Sequence, residues 1–187
     1  MKINTNLKQF KKKHKRKKNQ VIFHQTKCKS NKIIENLINN FLIKKNSFIF
    51  ESVEKRRIRG RYTIIGADPD KIWELNNNKI YVNSDNNKKK IINSSPYIFI
   101  KKLIDNFNFP LPRNLPPICS LLVGYFSYDI IRYIEKIPDK CKNDLKIPDV
   151  RLFRPKTIIV HDNFSKKIYF IKNCFSDQKI KLSKLFK

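Results

Sequence analysis

The chain has 187 residues, with 42 Lys or Arg against 15 Asp or Glu, four Cys and only three Gly. That length carries one ordinary domain or two small ones, with enough apolar residues for a core. The longest nearly unbroken apolar stretch, Ile118 to Tyr128, is far short of the roughly 20 residues of a membrane helix, and no apolar segment of the signal-peptide kind follows the basic start. A membrane-spanning or conventionally secreted protein is therefore not expected, and the setting expected is cytoplasmic.

The formal charge of +27 points first to nucleic acid. Its composition points elsewhere: 33 Lys, 28 Ile, 21 Asn, 14 Phe and 7 Tyr stand against a single Ala and nine Arg. Every enriched type has A/T-rich codons, so base composition explains the lysine excess at least as well as selection for phosphate contacts does. Contact with nucleic acid is expected to be non-specific only. Cys28, Cys119, Cys141 and Cys174 show no Cys-x-x-Cys spacing, and His14, His24 and His161 stand apart from them. Neither a metal site nor a disulfide framework is indicated.

Residues 1–19 open the chain with a run of like charge, nine basic groups and no acidic one in the first 18, and read as a disordered basic tail. Gln20 to Thr26 reads as a strand. Ser30 can then cap a helix whose apolar stripe is Ile33, Ile34, Leu37, Ile38, Phe41 and Leu42. Ser47 to Ser52 and Arg61 to Ala67 read as strands flanking a basic loop, with Gly60 and Gly66 allowing unusual backbone or close approach and Asp68-Pro69 as a turn starter. Ile72 to Leu75 and Lys79 to Asn83 form a hairpin through Asn76, Asn77 and Asn78, since Asn tolerates the left-handed backbone of a tight turn.

Ser95 and Pro96 should start a second helix that buries Ile98, Leu103, Ile104 and Phe107. Pro110, Pro112, Pro116 and Pro117 force an extended connection to a strand, Ile118 to Phe126. A short helix, Tyr128 to Glu135, follows with Ile130, Ile131 and Ile134 inward. Beyond a proline-bounded loop, Pro138 to Pro148, comes a hairpin of Thr157 to Asp162 and Lys167 to Lys172, turning at Asn163 to Lys166. The expected domain covers 20–175. From Ser176 through Ile180, Leu182 and Leu185, residues 176–187 read as the start of a truncated helix or a linker.

Two positions carry candidate chemistry. Asp129, Arg132 and Glu135, three apart, favour an ion-pair cluster beside Tyr125 and Tyr128, read as a structural clamp. Glu51 and Ser52 end an otherwise apolar strand, where a carboxylate and a hydroxyl need partners.

Three stretches, in order, carry a resemblance. Phe48-Ile49-Phe50-Glu51-Ser52-Val53-Glu54 leads to Arg59-Gly60-Arg61-Tyr62-Thr63-Ile64-Ile65-Gly66-Ala67-Asp68-Pro69. Val123-Gly124-Tyr125-Phe126-Ser127-Tyr128-Asp129-Ile130-Ile131-Arg132 leads to Glu135. Pro148-Asp149 leads to Arg154-Pro155-Lys156-Thr157-Ile158-Ile159-Val160-His161-Asp162. They resemble the ESVE…GRYSxIGxDP, GYxGYDxxRxxE and PD…P-strand segments of the N-terminal domain of the anthranilate synthase component I family. Aminodeoxychorismate synthase component I shares this domain in looser form.

The resemblance implies an α+β fold, mainly antiparallel sheet with helices on the outer side, half of an α/β/β/α sandwich completed by a C-terminal domain. It implies that chorismate and Mg²⁺ belong to that other domain, that no catalytic residue lies in this chain, and that the chain is inactive alone. The implied partners are that chorismate-binding domain and a glutamine amidotransferase subunit, with L-tryptophan as feedback inhibitor. Ser52, Glu51 and Arg61 would line the tryptophan site, Glu51 accepting from the ammonium and Arg61 pairing with the carboxylate. Gly124, Tyr125, Tyr128, Asp129, Arg132 and Glu135 would be structural. The competing class is a basic RNA-binding protein, for which no RNP-type aromatic motif, KH-type GxxG or zinc knuckle is present.

Overall fold

A computed structural model describes residues 7–51, 60–84, 89–107, 111–138 and 145–178. The chain forms α1 (Leu7–Lys15), β1 (Gln20–Lys27), α2 (Asn31–Leu42), β2 (Phe48–Phe50), β3 (Tyr62–Asn76), β4 (Lys79–Ser84), β5 (Lys89–Ile92), α3 (Pro96–Asp105), β6 (Val123–Phe126), β7 (Val150–Asp162) and β8 (Lys167–Cys174). Two 3₁₀ helices, Pro117–Cys119 and Tyr128–Tyr133, flank β6. The architecture is α+β with antiparallel pairing throughout, as the sequence predicts. No helix among the described residues is long and apolar enough to cross a membrane.

The fold divides into two compact units. Met1–Asp68, Phe109–Ser120 and Lys156–Lys187 form the first. Here β1 pairs along its whole length with β8, from Gln20 opposite Cys174 to Lys27 opposite Lys167, and β8 pairs with the second half of β7. Ser30 caps α2, its hydroxyl accepting from the Lys32 N–H at 3.2 Å. The helix then seats Ile34, Leu37, Ile38 and Phe41 on Ile65, Ile159 and Ile168 of the sheet. Ile33 and Leu42, counted into its stripe from spacing, are exposed at the stripe's margins. Ile158 and Val160 are fully buried on the opposite face of β7 from Ile159, so this strand is covered on both sides.

Gly66 explains how β2 is held. It lies directly across from Phe48, and a Cβ at Gly66 would sit 2.1 Å from the Phe48 ring. The ring occupies the space that any side chain would take. That contact anchors a three-residue strand whose far end carries Glu51.

The basic start differs from a disordered tail over part of its length. Residues 7–15 are helical, with Phe10 fully buried and its carbonyl accepting from Gln20 Nε2 at 3.1 Å. Phe10 and His14, four apart, stack at 6.1 Å between ring centres, while the lysines of the helix are exposed. Basic side chains in the last turn also suit the negative end of the helix dipole.

Pro69–Asn108 and Leu121–Pro155 form the second unit. Trp73, Leu75, Ile80, Val150 and Leu152 make its core. The β3–β4 hairpin turns on Asn77 and Asn78 at φ 49° and 60°, the left-handed pair that a two-residue turn needs. α3 starts at Pro96 as predicted but faces inward with Phe99, Ile100 and Leu103, leaving Ile98 and Ile104 about half exposed. Its apolar residues fit two stripes one position apart, and periodicity alone does not choose between them. Similarly, the strand expected from Ile118 begins only at Val123, because Pro116 and Pro117 set a 3₁₀ turn closed by the Cys119 N–H on the Pro116 carbonyl at 3.1 Å.

Asp68-Pro69 does not turn the chain, and β3 continues through it. Asp68 takes φ 55°, and its carboxylate accepts from Thr157 Oγ1 at 3.1 Å. A side-chain bond thus ties the strand where Pro69 can donate none.

Candidate functional site

In the first unit, a cavity of about 430 Å³ opens at the end of β2 and the start of β3. Its walls are Phe50, Tyr62, Ile64 and Ile118, and its charged groups among the described residues are Glu51 and Arg61. Two of the three residues predicted to form a ligand site therefore meet in one cavity. The third, Ser52, lies outside the described residues. Glu51 is exposed at the strand's end.

Arg61 is engaged in a way the sequence did not reveal. Its Nε and Nη2 donate to the two oxygens of Asp162 at 3.0 and 2.7 Å, a bidentate pair between residues 101 apart. Asp162 ends β7 and is 2 % exposed. It also accepts from the Phe164 N–H at 3.0 Å, the Ser165 N–H at 3.2 Å and the Ser165 hydroxyl at 2.8 Å. The Asn163 N–H closes the grip on the Arg61 carbonyl at 2.8 Å. The guanidinium lies 5.0 Å from the Tyr62 ring centre and 5.7 Å from that of Phe164. The β7–β8 turn thus holds Arg61 by both backbone and side chain.

Burial pushes the Asp162 carboxyl up, but the bonds from Arg61, Ser165 and Phe164 outweigh it and hold the group well below the usual carboxylate range. A depressed folded-state pKa contributes stability that is complete above the unfolded value of about 3.9 and is lost as pH falls below it. Between pH 7 and 5, thermal unfolding should therefore show no change from this group. Below about pH 4 the midpoint should fall, and less steeply in Asp162→Asn than in the parent chain. Identical slopes would show that Asp162 carries none of the acid sensitivity.

The other predicted cluster belongs to the second unit. Gly124 and Tyr125 sit in β6 opposite Leu152 and Arg151. Asp129 and Arg132 pair at 3.1 Å within the 3₁₀ helix, where residues three apart stand one above the other. Tyr128 is 92 % exposed and Glu135 lies in the exposed segment that follows. Tyr133, which the sequence did not single out, links the cluster to the sheet. Its hydroxyl donates to Asp149 Oδ2 at 2.5 Å and accepts from the Asn78 N–H at 3.4 Å. Burial and the Asp149 bond push that hydroxyl up to about 12, so it stays a donor at neutral pH.

Cys28, Cys119 and Cys174 are free thiols, and burial pushes Cys119 up to about 12 and Cys174 to about 11, leaving both unreactive. Cys141 lies outside the described residues. Among the described residues, no group of three or more His, Cys, Asp or Glu side chains is placed to hold a metal ion.

No family model matches the chain. Over 127 residues it is 32 % identical to anthranilate synthase component 1 of Cereibacter sphaeroides, a match that covers 66 % of this chain and 25 % of the relative. Over 126 residues it is 32 % identical to anthranilate synthase component 1 of Acetivibrio thermocellus, covering 67 % of this chain and 26 % of the relative. The chain belongs to the anthranilate synthase component I family. It spans about a quarter of the length of these curated relatives, and it is the family's N-terminal domain that it matches. The crystal structure of anthranilate synthase component I from Streptococcus pneumoniae shares the fold, with a TM-score of 0.54 and 19 % identity over 80 % of this chain and 33 % of that one.

Proposed function

We propose that this chain is the regulatory and scaffold domain of an anthranilate synthase component I, and that the cavity beside Glu51 and Arg61 is its site for L-tryptophan, the feedback inhibitor. The observation that carries the reading is that the cavity gathers a carboxylate, a guanidinium and aromatic and aliphatic walls at the end of β2. An amino acid with an indole needs those three kinds of contact: an acceptor for its ammonium, a polar edge for its carboxylate and an apolar face for its ring. A volume of about 430 Å³ lies within the range of small-molecule sites.

In the whole enzyme, chorismate would be converted to anthranilate and pyruvate with ammonia delivered by a glutamine amidotransferase subunit. The chorismate-binding domain of component I would carry that chemistry and its Mg²⁺. This chain would supply the inhibitor site and sheet for that domain to pack on, in a cytoplasmic setting. Turnover is expected only when both domains are present.

The test uses Ser52→Ala in anthranilate synthase assembled from this chain and a chorismate-binding domain supplied as a second polypeptide. Losing one hydrogen bond to a charged ligand group costs roughly 1.5 to 3 kcal/mol, so the inhibition constant for tryptophan should rise about ten- to a hundredfold. An inhibition curve that does not move would remove Ser52 from the site, and loss of turnover would place it nearer the chemistry.

A further inference from the structure

Base composition raises lysine along a whole chain, so a local excess needs a cause of its own. Nine of the first 18 residues are Lys or Arg, against 33 of the other 169. Within α1 the excess is ordered. Lys8, Lys11, Lys12 and Lys15 recur at the spacing of one helical face, all four exposed, and that face lies opposite Phe10. Phe10 is fully buried, its carbonyl accepts from Gln20 Nε2 at 3.1 Å, and the His14 ring stacks on it. The helix is therefore docked beside β1 through one side and presents a lysine stripe on the other. α1 holds no acidic residue, and Lys8 with Lys12 and Lys11 with Lys15 are like-charge pairs one turn apart, which weaken a helix until an anion screens them. Exposed Arg16, Lys17 and Lys18 extend the charge beyond the last turn.

We propose that the solvent face of α1 binds the phosphate backbone of double-stranded DNA without reading its sequence. The inference stands apart from the tryptophan reading. Seven residues at about 1.5 Å each set Lys8 and Lys15 about 10 Å apart along the axis, close to the roughly 12 Å width of the B-DNA major groove, so the stripe reaches phosphates on both rims. The deep, narrow groove of duplex RNA shuts such a helix out. Single strands are held by stacking on exposed aromatic rings, and the two rings of α1 are stacked on each other with Phe10 in the core. A membrane surface takes up the apolar side of an interfacial helix, which Phe10 here commits to the fold. Ammonium groups meet phosphates as point charges, whereas guanine edges are read best by the guanidinium fork, of which the first 18 residues have one, Arg16.

The experiment follows the fluorescence anisotropy of a labelled, mixed-sequence DNA duplex titrated with the full 187-residue chain, from about 50 to 200 mM salt. Lys8, Lys11, Lys12 and Lys15 are changed together to Gln, which has nearly the helix propensity of Lys. Each lost phosphate contact takes about 0.9 from the slope of log K against log salt, so the slope should shrink by about 3 to 4 and binding at the lowest salt should weaken at least about tenfold. The control changes Lys79, Lys90, Lys101 and Lys102 to Gln. These four are exposed on the second unit, so the net charge falls equally while α1 is untouched. The control's slope should stay within about one of the parent's. Equal losses from the two sets would mean that the chain binds DNA by its overall charge, and would overturn the proposal. So would tighter binding of duplex RNA, of the single strand or of phosphatidylserine vesicles than of the DNA duplex, or no measurable binding by the parent chain.

Discussion

Asp70→Ala should cost about 3–5 kcal/mol of stability, a large part of the roughly 5–15 kcal/mol that a domain has in all. Asp70 is 3 % exposed and its partner Arg154 is 8 % exposed. Arg154 donates through Nε to Asp70 Oδ1 at 2.8 Å and through Nη2 to Asp70 Oδ2, and its guanidinium lies 6.0 Å from the Trp73 ring centre. Taking away the carboxylate removes the charge that neutralises a desolvated cation, which is the expensive way to break a buried pair. Replacing both members, Asp70→Leu with Arg154→Met, should cost clearly less than either single change, because no unpaired charge remains. Urea titrations of Asp70→Ala, of the two single changes and of the double variant decide the matter. A single Asp70→Ala within about 0.5 kcal/mol of the parent chain would mean that the pair is solvated and worth no more than a surface one.

Neither this pair nor Arg61–Asp162 was legible in the sequence, and for the same reason. Each joins residues 84 and 101 apart whose strands meet only once the sheet is formed. Local spacing reports partners three or four apart on a helix, so the Asp129–Arg132 pair was within reach of the sequence and these two were not. Asp162 did carry a signal of its own, an acidic residue entering a four-residue turn, but that signal says only that it bonds the turn's N–H groups. Its second role, fixing Arg61, needs β3 and β7 in register.

Where chemistry is local, the sequence read well. The asparagine turn, the Ser30 cap, the Pro96 helix start and both hairpins follow from backbone preferences that do not depend on distant contacts. Where two neighbouring phases of an apolar pattern both fit, as in α3, the choice belonged to the Trp73 core and not to the helix. The Asp68-Pro69 dipeptide shows tertiary pairing overriding a turn preference: neighbouring strands on β3 carry it straight through. The candidate site was legible in part, because the polar pair ending Phe48-Ile49-Phe50 drew attention to a strand end that the structure places at a cavity. The carboxylate partner of Arg61 was the part hidden from spacing.

Gly124→Ala should be the most damaging single-methyl substitution in the second unit. Gly124 sits in β6 at φ 157° opposite Leu152, and a Cβ there would lie 1.8 Å from the Arg151 carbonyl oxygen and 2.9 Å from the Leu152 Cα. Both obstacles are backbone, so no rotamer change relieves them. β6 would have to lift from β7, giving up the pairing of Val123 with Phe153 and Phe126 with Val150 and the bond from the Ser127 N–H to the Asp149 carbonyl at 2.7 Å. Backbone strain of about 1–3 kcal/mol and the loss of ladder bonds worth about 1 kcal/mol each put the cost at about 3 kcal/mol or more. Gly66→Ala supplies the comparison, since its Cβ would meet the Phe48 ring at 2.1 Å, and a ring can turn aside where a carbonyl cannot. That change should cost about 1–3 kcal/mol, as overpacking does, and its effect should fall on β2. Amide hydrogen exchange separates the two: Gly124→Ala should expose the amides of β6 and its partner residues in β7, and Gly66→Ala those of β2. Equal stability losses with no change of protection in β6 would show that the strand accommodates a methyl group and that the close approach to Arg151 is not what requires glycine there.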